Sequence, residues 1–213
     1  CANLGTVTTA DINGGTIDGV TSFNGIEITT TATNNIGLGS GAVDSITTGD
    51  YNVGVGTSAL GQVTEGYSNT ALGTGALMST DTGHENVAVG KSALRNSGSG
   101  YLNIAIGRSA LYDNLTGFNN TAIGNYALTN STGNHNIALG NQCGDNITSG
   151  SDNIIIGYNV EAPSATGDDQ LNIGDTIYGD LSTGDIWTTT TGKIKQKGSA
   201  FQSHITASLA LGY

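Results

Sequence analysis

A repeat of 17 residues constrains this chain more than any other feature. The segments NIGLG, NVGVG, NTALG, NVAVG, NIAIG, NTAIG, NIALG and NIIIG begin at Asn35, Asn52, Asn69, Asn86, Asn103, Asn120, Asn136 and Asn153. Their closing glycines, Gly39, Gly56, Gly73, Gly90, Gly107, Gly124, Gly140 and Gly157, keep the same step, and Gly174 extends it to a ninth copy with Gln170 in the Asn place. A second glycine series runs in parallel through Gly49, Gly66, Gly83, Gly100, Gly117, Gly133, Gly150, Gly167 and Gly184. Its one short step places a missing residue between Leu128 and Gly133. Two glycine registers held in phase over nine copies exclude chance, and a fixed period of this length is the signature of a solenoid.

Each copy reads Asn-φ-small-φ-Gly-x-x-Ala-Leu, then a polar linker, a glycine and two more residues, with φ an apolar residue. Numbering from the Asn, positions 2 and 4 are mostly apolar (Ile104 and Ile106, Val87 and Val89), and position 3 is Ala or Gly in most copies. Alternation with period two predicts a short strand with positions 2 and 4 on one face. The Ala-Leu pair after the corner predicts a second apolar edge. A single unit is too short to bury its apolar face, whereas stacked units do so. The expectation is an all-β chain, a parallel β-roll or β-solenoid of about nine 17-residue coils, a rod on the order of 43 Å long at ~4.8 Å per coil. Glycine permits corners with positive φ, and Asn both tolerates left-handed backbone and can stack its amide from coil to coil.

The repeat also explains the composition. Glycine occurs 34 times in 213 residues, about twice the usual ~7%, and the two corner series account for about half of it. A single Pro and no Gly-X-Y period exclude collagen, and no stretch approaches the ~18 apolar residues of a membrane span. Charged residues are only 11% of the chain, with 17 acidic and 6 basic. Lys193, Lys195 and Lys197 hold half the basic charge, so residues 1–187 carry 3 positive against 17 negative groups, a net of -14. Such a surface repels nucleic acid and anionic lipid.

Three regions follow: an N-terminal β connector at 1–34, the repeat β-roll at 35–186, and a C-terminal β segment at 187–213 suited to joining subunits. The connector is punctuated by the turn pairs Asn-Gly and Asp-Gly. Cys1 offers lipid attachment, a covalent tie between subunits, or merely a boundary of the chain. Cys143 falls on the Ala position of the repeat and reads as a small core residue. His84, His135 and His204 are scattered, with the first two in polar linkers, and no His or Cys cluster has metal-ligand spacing. Asp168-Asp169 is the densest acidic spot but lacks the nonapeptide signature of a calcium β-roll. Tyr67, Tyr101, Tyr112 and Phe118 are dispersed through the linkers, which argues against the aromatic platform of a carbohydrate-binding β-helix. No catalytic constellation emerges, and no cofactor is expected.

The Asn-x-φ-Ala-φ-Gly coils resemble the head repeats of trimeric autotransporter adhesins. NTAIGNYAL and TGFNNTAIG are closer to bacteriophage tail-fibre repeats, as are ADINGGTIDGV and LNIGDTIYGDLSTGDI in the flanks. Tail fibres of this type often end in a self-cleaving endosialidase-type chaperone, which nothing in this chain resembles. The resemblance implies a homotrimeric fibre, non-enzymatic and extracellular or virion-borne, that acts as a rigid spacer or adhesive shaft. Its partners would be copies of itself and a host-surface receptor or glycan. A processed subunit of a bacterial surface filament is the alternative, and a carbohydrate-binding β-helix the third reading.

Overall fold

The computed structural model describes residues 34–188. The connector up to Thr33, the segment beyond Thr188, Cys1, His204 and the three C-terminal lysines lie outside the described residues. Within them the chain is all-β, with eleven strands in a single sheet whose spatial order is the sequence order. Eight three-residue strands, one per coil, stack in parallel: β1 (Ile36–Leu38), β2 (Val53–Val55), β3 (Thr70–Leu72), β4 (Val87–Val89), β5 (Ile104–Ile106), β6 (Thr121–Ile123), β7 (Ile137–Leu139) and β8 (Ile154–Ile156). Each strand pairs with its repeat-equivalent, Ala88 with Ala105 and Ala105 with Ala122. The missing residue is absorbed without a register slip, since Ala122 still faces Ala138. Ser131 keeps the buried place of Asn114 and Ile147, and Phe118 N–H reaches Asn134 Oδ1, so the gap is a lost linker position just before Gly133.

The ninth copy corrects the expected coil count. β9 (Gln170–Ile173) pairs parallel with β8 in the predicted register. The chain then turns back through β10 (Ile177–Asp180) and β11 (Asp185–Thr188), both antiparallel. The reason lies at the corner. Gly39 through Gly157 have φ between 127° and 142°, whereas Gly174 sits at 59°, a tight left-handed turn that closes a hairpin. The solenoid therefore has about eight turns, capped by a hairpin.

The side chains also show which face of each strand is inward. Position 3 points into the coil: Ala71, Ala88, Ala105, Ala122 and Ala138 are fully buried, and the apolar residues at positions 2 and 4 face outward. A coil of 17 residues encloses a narrow interior. It is filled by Ala at positions 3 and 8, Leu at position 9 and the residue at position 12, which leaves no room for Ile or Val on the inner side of the strand. The ends compensate. Gly144 takes the Leu position in the seventh coil, and Ile147 and Ile155 pack into the space beside it.

The Ala-Leu pair is a left-handed turn rather than a second strand. Leu60, Leu77, Leu94, Leu111 and Leu128 have φ between 48° and 55°. That conformation costs about 1–2 kcal/mol for a non-glycine residue. Full burial of a leucine contributes about 1.5–3 kcal/mol, so packing wins, and the strain recurs in five coils. The two glycine series also differ in role. Gly107 needs its positive φ. Gly100 does not, but a Cβ there would meet Gly117 O at 2.8 Å and Asn114 O at 3.2 Å, so its series is required by the close approach of successive coils.

Candidate functional site

Two axial columns and one face distinguish this solenoid chemically. The first column is internal. Asn52, Asn69, Asn86, Asn103, Asn120, Asn136 and Asn153 are fully buried and Asn35 nearly so. Each of the coils 2 to 8 repeats one pattern at this place: Asn103 N–H donates to Asn86 Oδ1 at 3.0 Å, and Asn103 Nδ2 donates to Gly117 O at 2.8 Å. In most rungs the amide nitrogen also reaches the preceding Oδ1, as Asn103 reaches Asn86 at 3.1 Å. Gln170 closes the column, donating to Asn153 Oδ1 and accepting from Ser164 N–H. The series Asn35 to Asn153 is thus a continuous hydrogen-bonded spine. Buried amides would otherwise cost about 1–3 kcal/mol apiece.

The outward face of the sheet is the second feature. Ile36 is 50% exposed and Leu72 48%, and Ile104, Ile106, Ile123 and Ile137 are each near 40%. Val53, Val87, Val89, Ile154 and Ile156 are half-buried on the same face. With Val55 and Leu139 these side chains form two parallel rows over eight strands, one of them interrupted by Thr70 and Thr121, spanning about 34 Å from β1 to β8 at ~4.8 Å per step. No other element of the described residues covers them.

The third feature was not visible as a group in the sequence. Tyr67, His84, Tyr101 and Phe118 all occupy position 16, directly after the second glycine series. Their rings stack face to face: Tyr67 on His84 at 4.6 Å and 11°, His84 on Tyr101 at 5.0 Å and 3°, Tyr101 on Phe118 at 4.9 Å and 6°. His135 closes the stack edge-on against Phe118 at 5.1 Å, and its Nδ1 lies 3.2 Å from Asp152. Above the rings the column becomes polar. Asn134 N–H donates to Ser151 Oγ, and Ser151 N–H to Asp168 Oδ1. The aromatics expected to be dispersed are therefore a single column, apart from Tyr112, and His84 is one of its rings. The sequence signal was their common offset from the glycine series. It is obscured because the residue types differ.

The few basic residues are kept away from the aromatic column. Lys91, Arg95 and Arg108, the only basic residues of 34–188, lie at positions 6 and 10, and the Arg108 guanidinium sits 5.4 Å from the Tyr126 ring centre. Asp50, Glu65, Glu85, Asp152 and Asp168 lie at positions 14 to 17, in the arc of the aromatic column. Asp168 is engaged by Ser151, and among the described residues no cluster of three or more His, Cys, Asp or Glu could hold a metal ion. Cys143 is fully buried where Ala stands in other coils, and its thiol donates to Ile155 O at 3.1 Å. Burial pushes that thiol up to about 11, with backbone hydrogen bonds at Leu139 and Gly157 pulling the other way.

No family model matches the chain, and no curated protein or solved structure matches it either.

Proposed function

We propose that this chain is a structural fibre module, a rigid shaft that associates as a homotrimer through the outward face of its parallel sheet and acts as a surface spacer. One observation carries the reading: two rows of side chains, branched aliphatic at every rung except Thr70 and Thr121, run along β1 to β8 on one face. Isolated apolar residues on a surface are ordinary, but a continuous apolar strip marks an interaction site. The strip repeats once per coil with constant spacing, so a partner with the same period satisfies every rung, and a copy of this chain has that period by construction. Polymers of one chain closed by symmetry are the common outcome of such self-complementary faces. The resemblance to tail-fibre and adhesin repeats favours three chains and a location outside the cell, and the reading assigns the chain no catalytic role.

Sedimentation equilibrium tests it. The expected species has three times the 21.4 kDa chain mass, and the double variant Ile104→Asp, Ile106→Asp should fall to monomer. A wild-type monomer at micromolar concentration would refute the trimer. The filament alternative draws on the end of the stack, where β11 is the edge strand of the described sheet and exposes Ile186 and Trp187. Concentration-dependent growth beyond a trimer would favour it.

A further inference from the structure

The aromatic column of coils 2 to 5 supplies nothing that the fold requires. Position 16 is Asp50 in the first coil and Asn134, Ser151 and Asp168 in the sixth to eighth, so the coil closes equally well around a short polar side chain. Four consecutive coils instead hold rings, in a straight row parallel to the axis and about 5 Å apart. The inner ring faces are covered by one another. What remains toward solvent is a strip of ring edges, with Tyr67 42% exposed and His84, Tyr101 and Phe118 half-buried. Beside it runs a second column at position 14, where Thr82, Ser99 and Thr116 are exposed hydroxyls and Glu65 is a half-flanking carboxylate exposed to solvent.

We propose that this strip is a binding site for a neutral glycan chain lying along the fibre axis. The proposal rests on the shaft reading for its setting, although the site is complete within one chain. Three observations select the ligand. The strip presents an aromatic ring once per coil in a line, which suits a polymer of repeating units rather than a folded protein recognised at a few anchors. The hydroxyls of Thr82, Ser99 and Thr116 and the Glu65 carboxylate, set beside apolar ring edges, match the hydroxyl-lined edge of a sugar chain. Tyrosine in particular offers rigid amphipathic contact area at low entropic cost. Charge then decides between glycan classes. Asp50, Glu65, Glu85, Asp152 and Asp168 fall in this arc and every basic residue of 34–188 lies elsewhere on the coil, so sulfated, phosphorylated or sialylated chains are repelled.

The test is binding of the full chain to an array of neutral oligosaccharides printed beside their sialylated and sulfated counterparts. Binding to neutral glycans, little changed by added salt, is expected. The variant Tyr101→Asn, Phe118→Asn introduces a residue already accepted at this position in coil 6, and it should keep its circular dichroism spectrum while affinity falls roughly tenfold or more. The variant Lys91→Gln, Arg108→Gln, at positions 6 on the other side of the coil, should bind as the wild type does. The proposal is overturned by binding to no glycan on the array, by a preference for the anionic ones, or by a neutral-glycan affinity that the ring substitutions leave intact. It is equally overturned if the Lys91 and Arg108 substitutions abolish binding as fully as the ring substitutions. A trimer that ignores every glycan sinks this site and spares the shaft, whereas a monomer that binds through the column does the reverse.

Discussion

Gly107→Ala in the middle of the stack should be far more damaging than Gly41→Ser, although both glycines have positive φ. At Gly107 φ is +134°, and an added Cβ would lie 2.5 Å from both C and O of Gly124 and 2.9 Å from Asn125 N. All three atoms are backbone of the next coil, so no rotamer change relieves the contact. Restoring an ordinary distance of 3.4 Å or more means opening the coil spacing by most of an ångström. The neighbouring bonds Gly107 N to Val89 O at 2.8 Å and Gly124 N to Ile106 O at 2.7 Å would then stretch beyond useful length. Each lost bond costs about 0.5–1.5 kcal/mol, and the backbone strain adds about 1–3 kcal/mol. A total of about 2–6 kcal/mol lowers the melting temperature by roughly 4–24 °C in a chain of this size. Since each coil contacts only its neighbours, the damage also uncouples coils 1–5 from coils 6–8 and splits the melt into two steps. At Gly41 φ is +64°, and the nearest atom to an added Cβ is Ser58 Oγ at 3.6 Å. Ser58 and Ser92 hold the same place in other coils at 55° and 57°, so Gly41→Ser should move the melt by no more than a few degrees, for a strain of about 1 kcal/mol. Thermal melting followed by far-ultraviolet circular dichroism separates the two. The reasoning is wrong if Gly107→Ala melts with the wild type, or if Gly41→Ser falls as far.

Three further outcomes follow from the same geometry. Asn103→Asp replaces a donor with a charge facing Gly117 O and Asn86 Oδ1; burial raises that carboxyl in the folded state, so the destabilisation should be largest at neutral pH and shrink as pH falls through the raised folded value toward about 4, where the unfolded carboxyl is protonated as well, a trend that urea melts across pH would reveal or deny. Cys143 ionises near 11 when folded against 9.0 ordinarily, so its contribution is intact below pH 9 and is lost as pH rises from 9 through 11, by about 3 kcal/mol at the top of that window; removal with Cys143→Ala should flatten the alkaline limb, and site-resolved alkylation at pH 8 should find Cys143 unmodified until the chain unfolds. Ser92→Gly relieves a left-handed residue where Gly41 and Gly75 already stand and should raise the melting temperature by a few degrees, with a gain of up to about 1 kcal/mol; a lower melting temperature would show that the serine contributes more than its backbone costs.

Periodicity made the solenoid readable before any coordinates, because a coil must return to the same place every 17 residues and the Asn and glycine positions cannot drift. Period two in the strand was equally plain, but it separates two faces without saying which is inside. Size decides that: Ala105 fits the narrow interior, whereas Ile104 and Ile106 do not, and so the more apolar face is the outer one. The left-handed leucines left only an indirect trace, in Gly144 standing where Leu128 stands one coil earlier. The aromatic column was hidden by its mixed residues. Only Tyr67, His84, Tyr101 and Phe118 counted from the glycine ahead of them reveal a single row. The cap was hidden too, because Gly174 keeps its place in the series and changes only its backbone angle.

The asparagine spine has a direction. Along a parallel sheet the interstrand bonds alternate up and down, as Ile36 N to Asn52 O and Gly56 N to Leu38 O do, and their dipoles largely cancel. The spine does not alternate: in every rung from Asn52 to Gln170 the donor belongs to the later coil and the acceptor to the earlier one. Its amides therefore add head to tail, as peptide dipoles do in a helix, with the positive end at the first coil and the negative end beneath the hairpin. The shaft is a polar object even where its formal charges are few. Two such rods laid side by side in the same sense oppose each other's axial dipoles weakly, whereas rods joined end to end in the same sense reinforce them, so the interior of the coil favours growth along its own axis.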